Sequence, residues 1–240
     1  MSDSEDILII GPGRLGRCMN RWLVEAGRKV RLIGRGEAIP RARLTWLTVP
    51  DRAIAAVAEA VPAGTILLHA SGARELDLLE PHERIGSLHP LMTFTGVERR
   101  SEMPPRIPAA ISGHPEALSA ARALTEDLGM SPFEYSGDRT IYHAAAVMSG
   151  NFSTILLARA AQLLVSQGIP EDEARSLLAP LAMQSIQNAA VGPPESVLTG
   201  PVARGDHNVI RDHLDALRES APAQHQLYEI LLRETHDLLS

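Results

Sequence analysis

The chain has 240 residues, of which 45% are hydrophobic and only 3% aromatic, and its formal net charge is -6. A core of aliphatic side chains favours a helix-rich α/β architecture over a β-sandwich. The acidic balance argues against nucleic acid as a partner, because neutralising phosphates takes a basic surface. Cys18 is the only cysteine, which excludes an intramolecular disulfide and a thiolate cluster, and no other residues have metal-ligand spacing.

The beginning of the chain predicts no export signal. The first residues, MSDSED, are acidic and lead directly into an apolar strand, whereas a secretory signal starts with basic residues followed by an apolar stretch. No continuous apolar run reaches the roughly 18 residues needed to span a bilayer. Together with the single cysteine, these features predict a cytoplasmic protein without a membrane partner.

From Ile7 to about Tyr135 short apolar runs alternate with helical stretches, the pattern of βαβ units around a mostly parallel sheet. The predicted strands are 7–10, 30–33, 44–48, 65–69, 85–88, 109–112 and 132–135. The predicted helices are 15–26, 51–60 and 115–128. The pattern therefore predicts an α/β, Rossmann-type dinucleotide-binding domain over residues 1–137.

After Gly137 the pattern changes to long helical stretches rich in Ala and Leu, without strand signals. Helices are predicted over 139–167, 170–191, 206–219 and 223–239. Residues 138–240 are thus expected to form an all-α domain for substrate binding and dimerisation. A helical domain of this size and apolar content is expected to bury its remaining apolar face against a second copy, giving a homodimer.

The sequence GPGRLG at residues 11–16 follows the first predicted strand and opens a helix, which is the context of a dinucleotide-binding GxGxxG motif. Gly11 permits a tight turn, Gly13 lets the backbone approach a pyrophosphate, and Gly16 allows close packing of helix and sheet. Arg14 is a further candidate phosphate partner. The alternative is a plain turn.

The end of the second strand bears on the choice of cofactor. NAD sites usually place an acidic residue there to bind the ribose hydroxyls, whereas here Gly34-Arg35-Gly36 follow the strand. The missing carboxylate and the Arg35 guanidinium favour the 2'-phosphate of NADP, with NAD less favoured. The alternative is that Arg35 is a solvated loop residue.

Two further loops, at Val49-Pro50 and at Ser71, lie at the carboxyl ends of the third and fourth strands, where open α/β sheets bind ligands. Ordinary turn chemistry is their alternative interpretation. The predicted cofactor-binding residues are Gly11, Gly13, Arg14, Leu15, Gly16, Gly34, Arg35, Val49, Pro50 and Ser71.

The motifs GPGRLG, VPD, HASG, SLHPLMTF, YHAAAVMSGNF and LTGPVARGD together resemble a group that joins a Rossmann-like domain to a helical domain of unknown function, described as NADP-dependent oxidoreductases. The resemblance covers nearly the whole chain. More distantly, the layout is similar to pyrroline-5-carboxylate reductase, ketopantoate reductase and 6-phosphogluconate dehydrogenase, the helical part resembling the C-terminal domain of the last. This resemblance implies a nicotinamide cofactor and a small-molecule substrate held between the two domains.

One departure from those relatives concerns the proton donor. In the hydroxyacid and 6-phosphogluconate dehydrogenases, a lysine one helical turn before an asparagine serves as acid and base. If Asn151 matches that asparagine, the position four residues earlier is Val147, and the single lysine, Lys29, lies beside the second strand. Either another residue moves the proton, or the substrate needs no such group, or this branch has lost catalysis.

Two histidines are candidates for the proton donor, because an imidazole pKa near 6.5 suits proton transfer around neutrality. His89 follows a strand at its carboxyl end, and His143 lies on the long helix. A loop histidine and a partly buried histidine bonded to a carbonyl are the respective alternatives.

Other candidate catalytic residues lie in the helical half. Ser149 and Asn151 interrupt an apolar helix, and such a conflict with helix propensity often marks a functional face, although close helix packing is an alternative. Arg204, in the connection from Thr199 onward, could hold a substrate carboxylate through two hydrogen bonds. Asp206 is interpreted as a helix N-cap.

The sequence therefore predicts a two-domain NADP-dependent oxidoreductase that transfers hydride between nicotinamide and a small carbonyl, hydroxy-acid or imine substrate. The missing lysine leaves open a non-catalytic NADP(H)-binding regulatory protein. A deazaflavin-dependent NADP reductase shares the amino-terminal motifs but needs room for a second large cofactor.

Overall fold

A computed structural model describes residues 5–239 and the side chains of residues 7–239. The chain divides into two compact units, Met1–Gly150 and Asn151–Ser240. This division falls inside the long helical segment, later than the predicted domain boundary after Gly137, which stays a prediction.

The first unit is built on a seven-stranded sheet with the order β2-β1-β3-β4-β5-β6-β7. Its strands are β1 (Glu5–Ile10), β2 (Val30–Ile33), β3 (Ala42–Leu47), β4 (Ile66–His69), β5 (Ile85–Pro90), β6 (Ile107–Gly113) and β7 (Met130–Glu134). Neighbouring strands run parallel except β5 and β6, which are antiparallel with Leu88 opposite Ile111. The predicted Rossmann-type, mostly parallel sheet is confirmed.

Three helices cover the two faces of this sheet: α1 (Arg14–Glu25), α2 (Ile54–Ala60) and α3 (Pro115–Asp127). A fourth helix, α4 (Arg139–Val147), follows β7. In β1, Ile7 and Ile9 pack with α1 and α3, whereas Leu8 and Ile10 pack with α2. Since successive strand residues point to opposite faces, a strand covered on both sides reads as a continuous apolar run.

The second unit is entirely helical in its described part. Its helices are α5 (Ser153–Ser166), α6 (Glu171–Ala189), α7 (Pro194–Val197), α8 (Pro201–Arg204), α9 (His207–Ser220) and α10 (Pro222–Leu239). The predicted helical C-terminal region is confirmed, and the short helices α7 and α8 lie in stretches where no helix was predicted.

The predicted helix over 139–167 contains one irregular turn. A π-helical turn, Met148–Phe152, separates α4 from α5. Its sequence, MSGNF, includes Ser, Gly and Asn, which are weak helix formers, so widening the helix costs least there. Such turns occur frequently at functional sites.

The helical stretch Arg139–Ser166 is, among the described residues, long and apolar enough to cross a membrane by length and composition, with a mean hydropathy of 1.2 over 18 residues. No such span was predicted from the sequence. Length and composition alone are weak evidence for one. None of the 18-residue window is buried, whereas Arg139, at the start of the helical stretch, is only 3% exposed.

We expect the substitution Leu68→Ala to destabilise the first unit by about 2–5 kcal/mol, because Leu68 is fully buried in β4 and truncation leaves a cavity. The control is Val97→Ala, at a side chain that is 75% exposed, with an expected cost below about 0.5 kcal/mol. Urea titration followed by tryptophan fluorescence measures this, because both tryptophans, Trp22 and Trp46, are buried in the first unit. Equal shifts of the two midpoints would contradict the described core.

Candidate active site

The glycine loop after β1 has the shape that a dinucleotide pyrophosphate requires. Gly11 has a φ of +118°, and a Cβ there would lie 2.7 Å from the carbonyl oxygen of Thr48. A Cβ on Gly16 would lie 2.0 Å from the carbonyl oxygen of Gly11, so helix and loop pack without room for a side chain. A Cβ on Gly13 would meet nothing within 4 Å. The loop therefore presents its backbone to open space at Gly13, where a phosphate can approach.

A cavity of about 490 Å³ lies beside this loop, at the carboxyl ends of β1, β2 and β3. Six predicted cofactor residues line it: Gly11, Gly13, Gly34, Arg35, Val49 and Pro50. Glu37 also lines the cavity, and its Oε1 accepts a 2.7 Å hydrogen bond from the backbone N–H of Gly34. This carboxylate was not predicted, because it belongs to the fourth residue after β2 and reaches the cavity by turning back to the backbone of Gly34.

The other four predicted cofactor residues do not line this cavity. Arg14 begins α1, and its Cα lies 3.3 Å from where a Cβ on Gly96 would stand. Leu15 packs against the core, and Gly16 and Ser71 are buried. Their contact with a cofactor stays a prediction.

The carboxylate of Glu98 holds the loop between β5 and β6 against α1. Its carboxylate accepts hydrogen bonds from the backbone N–H groups of Thr95, Gly96 and Val97, and from the Cys18 thiol at 3.2 Å. Burial alone would raise the pKa of Glu98, but the hydrogen bond from the backbone of Thr95 and the one from Cys18 outweigh it, and this pKa lies far below its usual range. The carboxylate therefore stays ionised and anchors this loop through these bonds.

The HASG motif forms a loop held by its own hydrogen bonds at the end of β4. His69 Nδ1 accepts the backbone N–H of Ser71 at 3.2 Å. Ser71 Oγ accepts the backbone N–H groups of Ala73 and Arg74 at 3.2 and 3.1 Å. His69 Nε2 consequently carries the proton, and it has no hydrogen-bond partner among the described residues. Burial, followed by the charge of Arg139, lowers the pKa of His69 to about 3, so the ring is neutral.

Arg139 is a buried cation at the start of α4. Its guanidinium donates to Ser112 Oγ at 3.0 Å and to the carbonyl oxygen of Ser71 at 2.9 Å. Ser112 Oγ in turn lies 2.9 Å from Ser87 Oγ of β5. Within residues 7–239, no carboxylate forms an ion pair with Arg139, and burial lowers its pKa. The guanidinium thus ties α4 to the loop after β4 and to β6.

One turn along α4, Tyr142 meets His89 of β5. The Tyr142 hydroxyl lies 2.8 Å from His89 Nδ1, and the rings stand nearly perpendicular at 83°. Burial, followed by the charges of His143 and Arg139, lowers the pKa of His89 to about 4. His89 is therefore neutral at pH 7.

Gly72 makes room for these rings. A Cβ on Gly72 would lie 2.9 Å from both Cε1 and Nε2 of His89, and 3.0 Å from Cδ2 of His143. The centroids of the two imidazole rings are 6.3 Å apart. The Nε2 edge of His89 is therefore turned toward the loop after β4, at the carboxyl ends of the strands, where open α/β sheets bind ligands.

The structure thus brings together two of the predicted catalytic residues, His89 and His143. Ser149 lies on the π-helical turn at the end of the first unit, whereas Asn151 and Arg204 belong to the second unit. Their convergence with His89 stays a prediction.

Asp206 occupies the predicted N-cap position of α9, but its side chain makes no capping hydrogen bond. Its Oδ2 lies 2.8 Å from Nε of Arg204 instead. This ion pair also engages Arg204, the predicted carboxylate-binding residue.

Comparison with known proteins gives a family. Residues 107–235, more than half of the 240-residue chain, match the family described as Domain of unknown function (DUF2520). A search of curated proteins finds no match to this sequence.

Solved structures share the fold over nearly the whole chain. A proposed NADP oxidoreductase from Bacteroides fragilis, BF3122, has a TM-score of 0.81 at 24% identity, covering 98% of each chain. The 1-pyrroline-5-carboxylate reductase of Streptococcus pyogenes has a TM-score of 0.62 at 16% identity, covering 98% of each chain. A reductive aminase from Aspergillus terreus, in complex with NADPH and ethyl levulinate, has a TM-score of 0.66 at 18% identity, covering 96% of this chain and 94% of the other. The resemblance to such proteins is confirmed at the level of fold.

Two glycine substitutions separate cofactor binding from folding. We expect Gly13→Ala to weaken NADPH binding about tenfold or more, about 1.4 kcal/mol, with little loss of stability, because the added methyl projects into open space. We expect Gly16→Ala to destabilise the fold by about 1–3 kcal/mol or more, because its methyl overlaps the backbone of Gly11. NADPH fluorescence titration and urea midpoints measure the two effects. Unchanged NADPH affinity in Gly13→Ala would contradict the assignment of the loop.

Proposed function

The chain belongs to the DUF2520 family, and on that premise we propose that it is an NADP-dependent oxidoreductase, which transfers hydride between nicotinamide and a small carbonyl, hydroxy-acid or imine substrate. The observation that carries the proposal is the glycine loop beside a cavity of about 490 Å³. The loop backbone from Gly11 to Gly13 would hold the pyrophosphate, and Val49 and Pro50 would line the path beyond it. A bound nicotinamide would supply or accept the hydride.

The residues at the end of β2 support NADP over NAD. Arg35 is exposed at the cavity, where its guanidinium can pair with a 2'-phosphate. Glu37 is the only acidic residue among those lining the cavity, and its Oε1 is engaged by the backbone of Gly34. The reductive aminase with NADPH is similar in fold, which agrees with a phosphorylated cofactor.

The second candidate function is a non-catalytic NADP(H)-binding regulatory protein, favoured by Val147 at the position where related dehydrogenases carry lysine. A dehydrogenase screen distinguishes the two. Nicotinamide absorbance is followed with NADPH or NADH over ketones and cyclic imines, and with NADP⁺ or NAD⁺ over hydroxy acids. Turnover supports the enzyme and excludes the purely regulatory function, whereas tight NADPH binding without turnover across the panel supports the regulator.

We expect NADPH to bind at least about tenfold more tightly than NADH, about 1.4 kcal/mol. Arg35→Ala should remove most of this preference by weakening NADPH alone, because only NADPH carries the 2'-phosphate. The control is Arg41→Ala, at an exposed arginine that does not line the cavity. Fluorescence titration of both cofactors measures the preference. Equal affinities in the wild-type protein would contradict the role of Arg35.

The second unit supports a homodimer through its helices. Among its described hydrophobic residues only Ala161, Ala174 and Ile210 are buried. Large apolar side chains are exposed along α5 and α6, including Ile155, Leu156, Leu177, Leu181, Met183 and Ile186. Apolar surface of this extent marks an interaction site. A second copy fits better than a lipid bilayer, because the adjoining helix α4 carries Arg139, Tyr142 and His143 against the sheet of the first unit. A cytoplasmic location remains a prediction.

We expect a homodimer by light scattering at micromolar concentration, and Leu181→Arg should shift it toward monomer because a buried charge at the interface is costly. The control is Gln167→Arg, which adds the same charge at an exposed polar position after α5. A wild-type monomer that stays in solution without detergent would contradict the dimer. Sedimentation with lipid vesicles would instead support a membrane-bound helix.

A further inference from the structure

We propose that Tyr142 and His89 form a proton relay in which His89 Nε2 protonates the carbonyl oxygen of the substrate and Tyr142 replaces that proton at Nδ1. The relay rests on the proposed oxidoreductase function and adds to it a substrate class, aldehydes or ketones, and a positioning residue, Tyr142. It answers the question left by the missing lysine: which group supplies the proton.

The hydrogen-bond pattern gives the relay its direction. The Tyr142 hydroxyl contacts His89 Nδ1 at 2.8 Å. A neutral imidazole carries one ring proton. The relay assigns to the resting protein the tautomer in which Nδ1 accepts the phenol hydrogen of Tyr142. The ring proton then lies on Nε2, the edge of His89 that faces Gly72.

The reaction balances in protons and electrons. The hydride, which carries the electron pair, would come from a reduced nicotinamide dinucleotide, the reductant of the proposed function. It would add to the carbonyl carbon. The electrons of the carbonyl π bond move to oxygen, which takes the proton from Nε2 of His89. Nδ1 takes the phenol proton at the same time, so the imidazole stays neutral and changes tautomer. Tyr142 is left as a phenolate. After the product leaves, Nδ1 returns its proton to the phenolate oxygen and Nε2 takes one proton from solvent, which restores the starting tautomer.

Arg139 has a defined part in this proton transfer. Burial raises the pKa of Tyr142, and the positive charge of Arg139 lowers it. The guanidinium, held by Ser112 and the carbonyl of Ser71, therefore stabilises the phenolate when it forms. No carboxylate among residues 7–239 forms an ion pair with Arg139. The Glu75 carboxylate interacts with this charge without forming an ion pair and raises the pKa of Arg139, against the larger effect of burial.

A relay is needed because His89 alone is a poor acid at neutral pH. The groups that face it are His143 and Arg139 of α4, His69 of β4, and Asp51 after β3, of which only Asp51 favours the imidazolium. The pKa of His89 is lowered to about 4, so above that pH the ring is neutral and gives up Nε2–H only as it receives a proton at Nδ1. Reduction by the wild-type enzyme should therefore keep its rate through pH 6.5, where an ordinary histidine acid would lose its proton.

The test compares Tyr142→Phe with Tyr135→Phe. Tyr135 stacks on Tyr142 with ring centroids 4.8 Å apart, but its hydroxyl donates to the carbonyl oxygen of Asp138. We expect Tyr142→Phe to lower kcat for ketone reduction by about 10²-fold while NADPH affinity changes less than about twofold. Its remaining rate should rise as the pH falls toward 4, because only the imidazolium then acts. Tyr135→Phe should keep the wild-type kcat and pH profile.

A second readout needs neither substrate nor cofactor. Nitrogen-15 NMR of histidine-labelled protein should show His89 with Nε2 protonated and Nδ1 as a hydrogen-bond acceptor, and Tyr142→Phe should shift the Nδ1 resonance. Protonated Nδ1 in the wild type, or wild-type kcat in a folded Tyr142→Phe, overturns the relay alone. Turnover of imines without turnover of any aldehyde or ketone overturns the carbonyl substrate class and leaves the proposed enzymatic function standing. Tight NADPH binding without turnover of any ketone, hydroxy acid or imine overturns the enzymatic function, and the substrate step with it.

Discussion

The hydrogen bonds of one buried guanidinium, that of Arg139, hold in place the elements that surround His89 in the first unit. Arg139 holds the loop after β4 through the carbonyl of Ser71, and it holds β6 through the Ser112 hydroxyl. A buried cation is costly unless its hydrogen bonds are met. Both terminal nitrogens of this guanidinium are bonded, whereas its Nε has no hydrogen-bond partner among the described residues. The two bonds hold the start of α4 at this position. Residues three apart on a helix share a face, and Tyr142 is thereby delivered to the end of β5, where His89 lies.

The electrostatics of this edge follow from the same burial. Desolvation disfavours charge on His69 and His89, and the nearby Arg139 adds to that effect. The site therefore combines neutral rings with one fixed positive charge. This combination favours chemistry in which negative charge develops and protons move between neutral groups, over the binding of a second cation. It also differs in kind from a lysine mechanism, where the acid itself carries the charge.

Periodicity and glycine spacing predicted most of the fold. Strand β2 was predicted at its observed bounds, and the GxGxxG motif lies where the βαβ pattern requires. The site was predicted less completely. His89 was found because it follows a strand, but Tyr142 and Arg139 were missed, since neither helix periodicity nor strand position says which turn of α4 meets the sheet edge. Glu37 was missed because its carboxylate turns back to bond the backbone of Gly34, a local fold that composition does not show.

Because Glu98 anchors the loop between β5 and β6 next to Cys18, the reactivity of this natural cysteine can report on opening of the loop. Cys18, the single cysteine, is buried beneath that loop, donates its thiol hydrogen to Glu98, and has its pKa raised to about 11 by burial and then by that bond. A thiol reagent can modify it only while the loop is open, because both access and the thiolate are otherwise withheld. The rate of labelling thus measures the free energy of local opening, without any engineered probe and without disturbing the glycine loop.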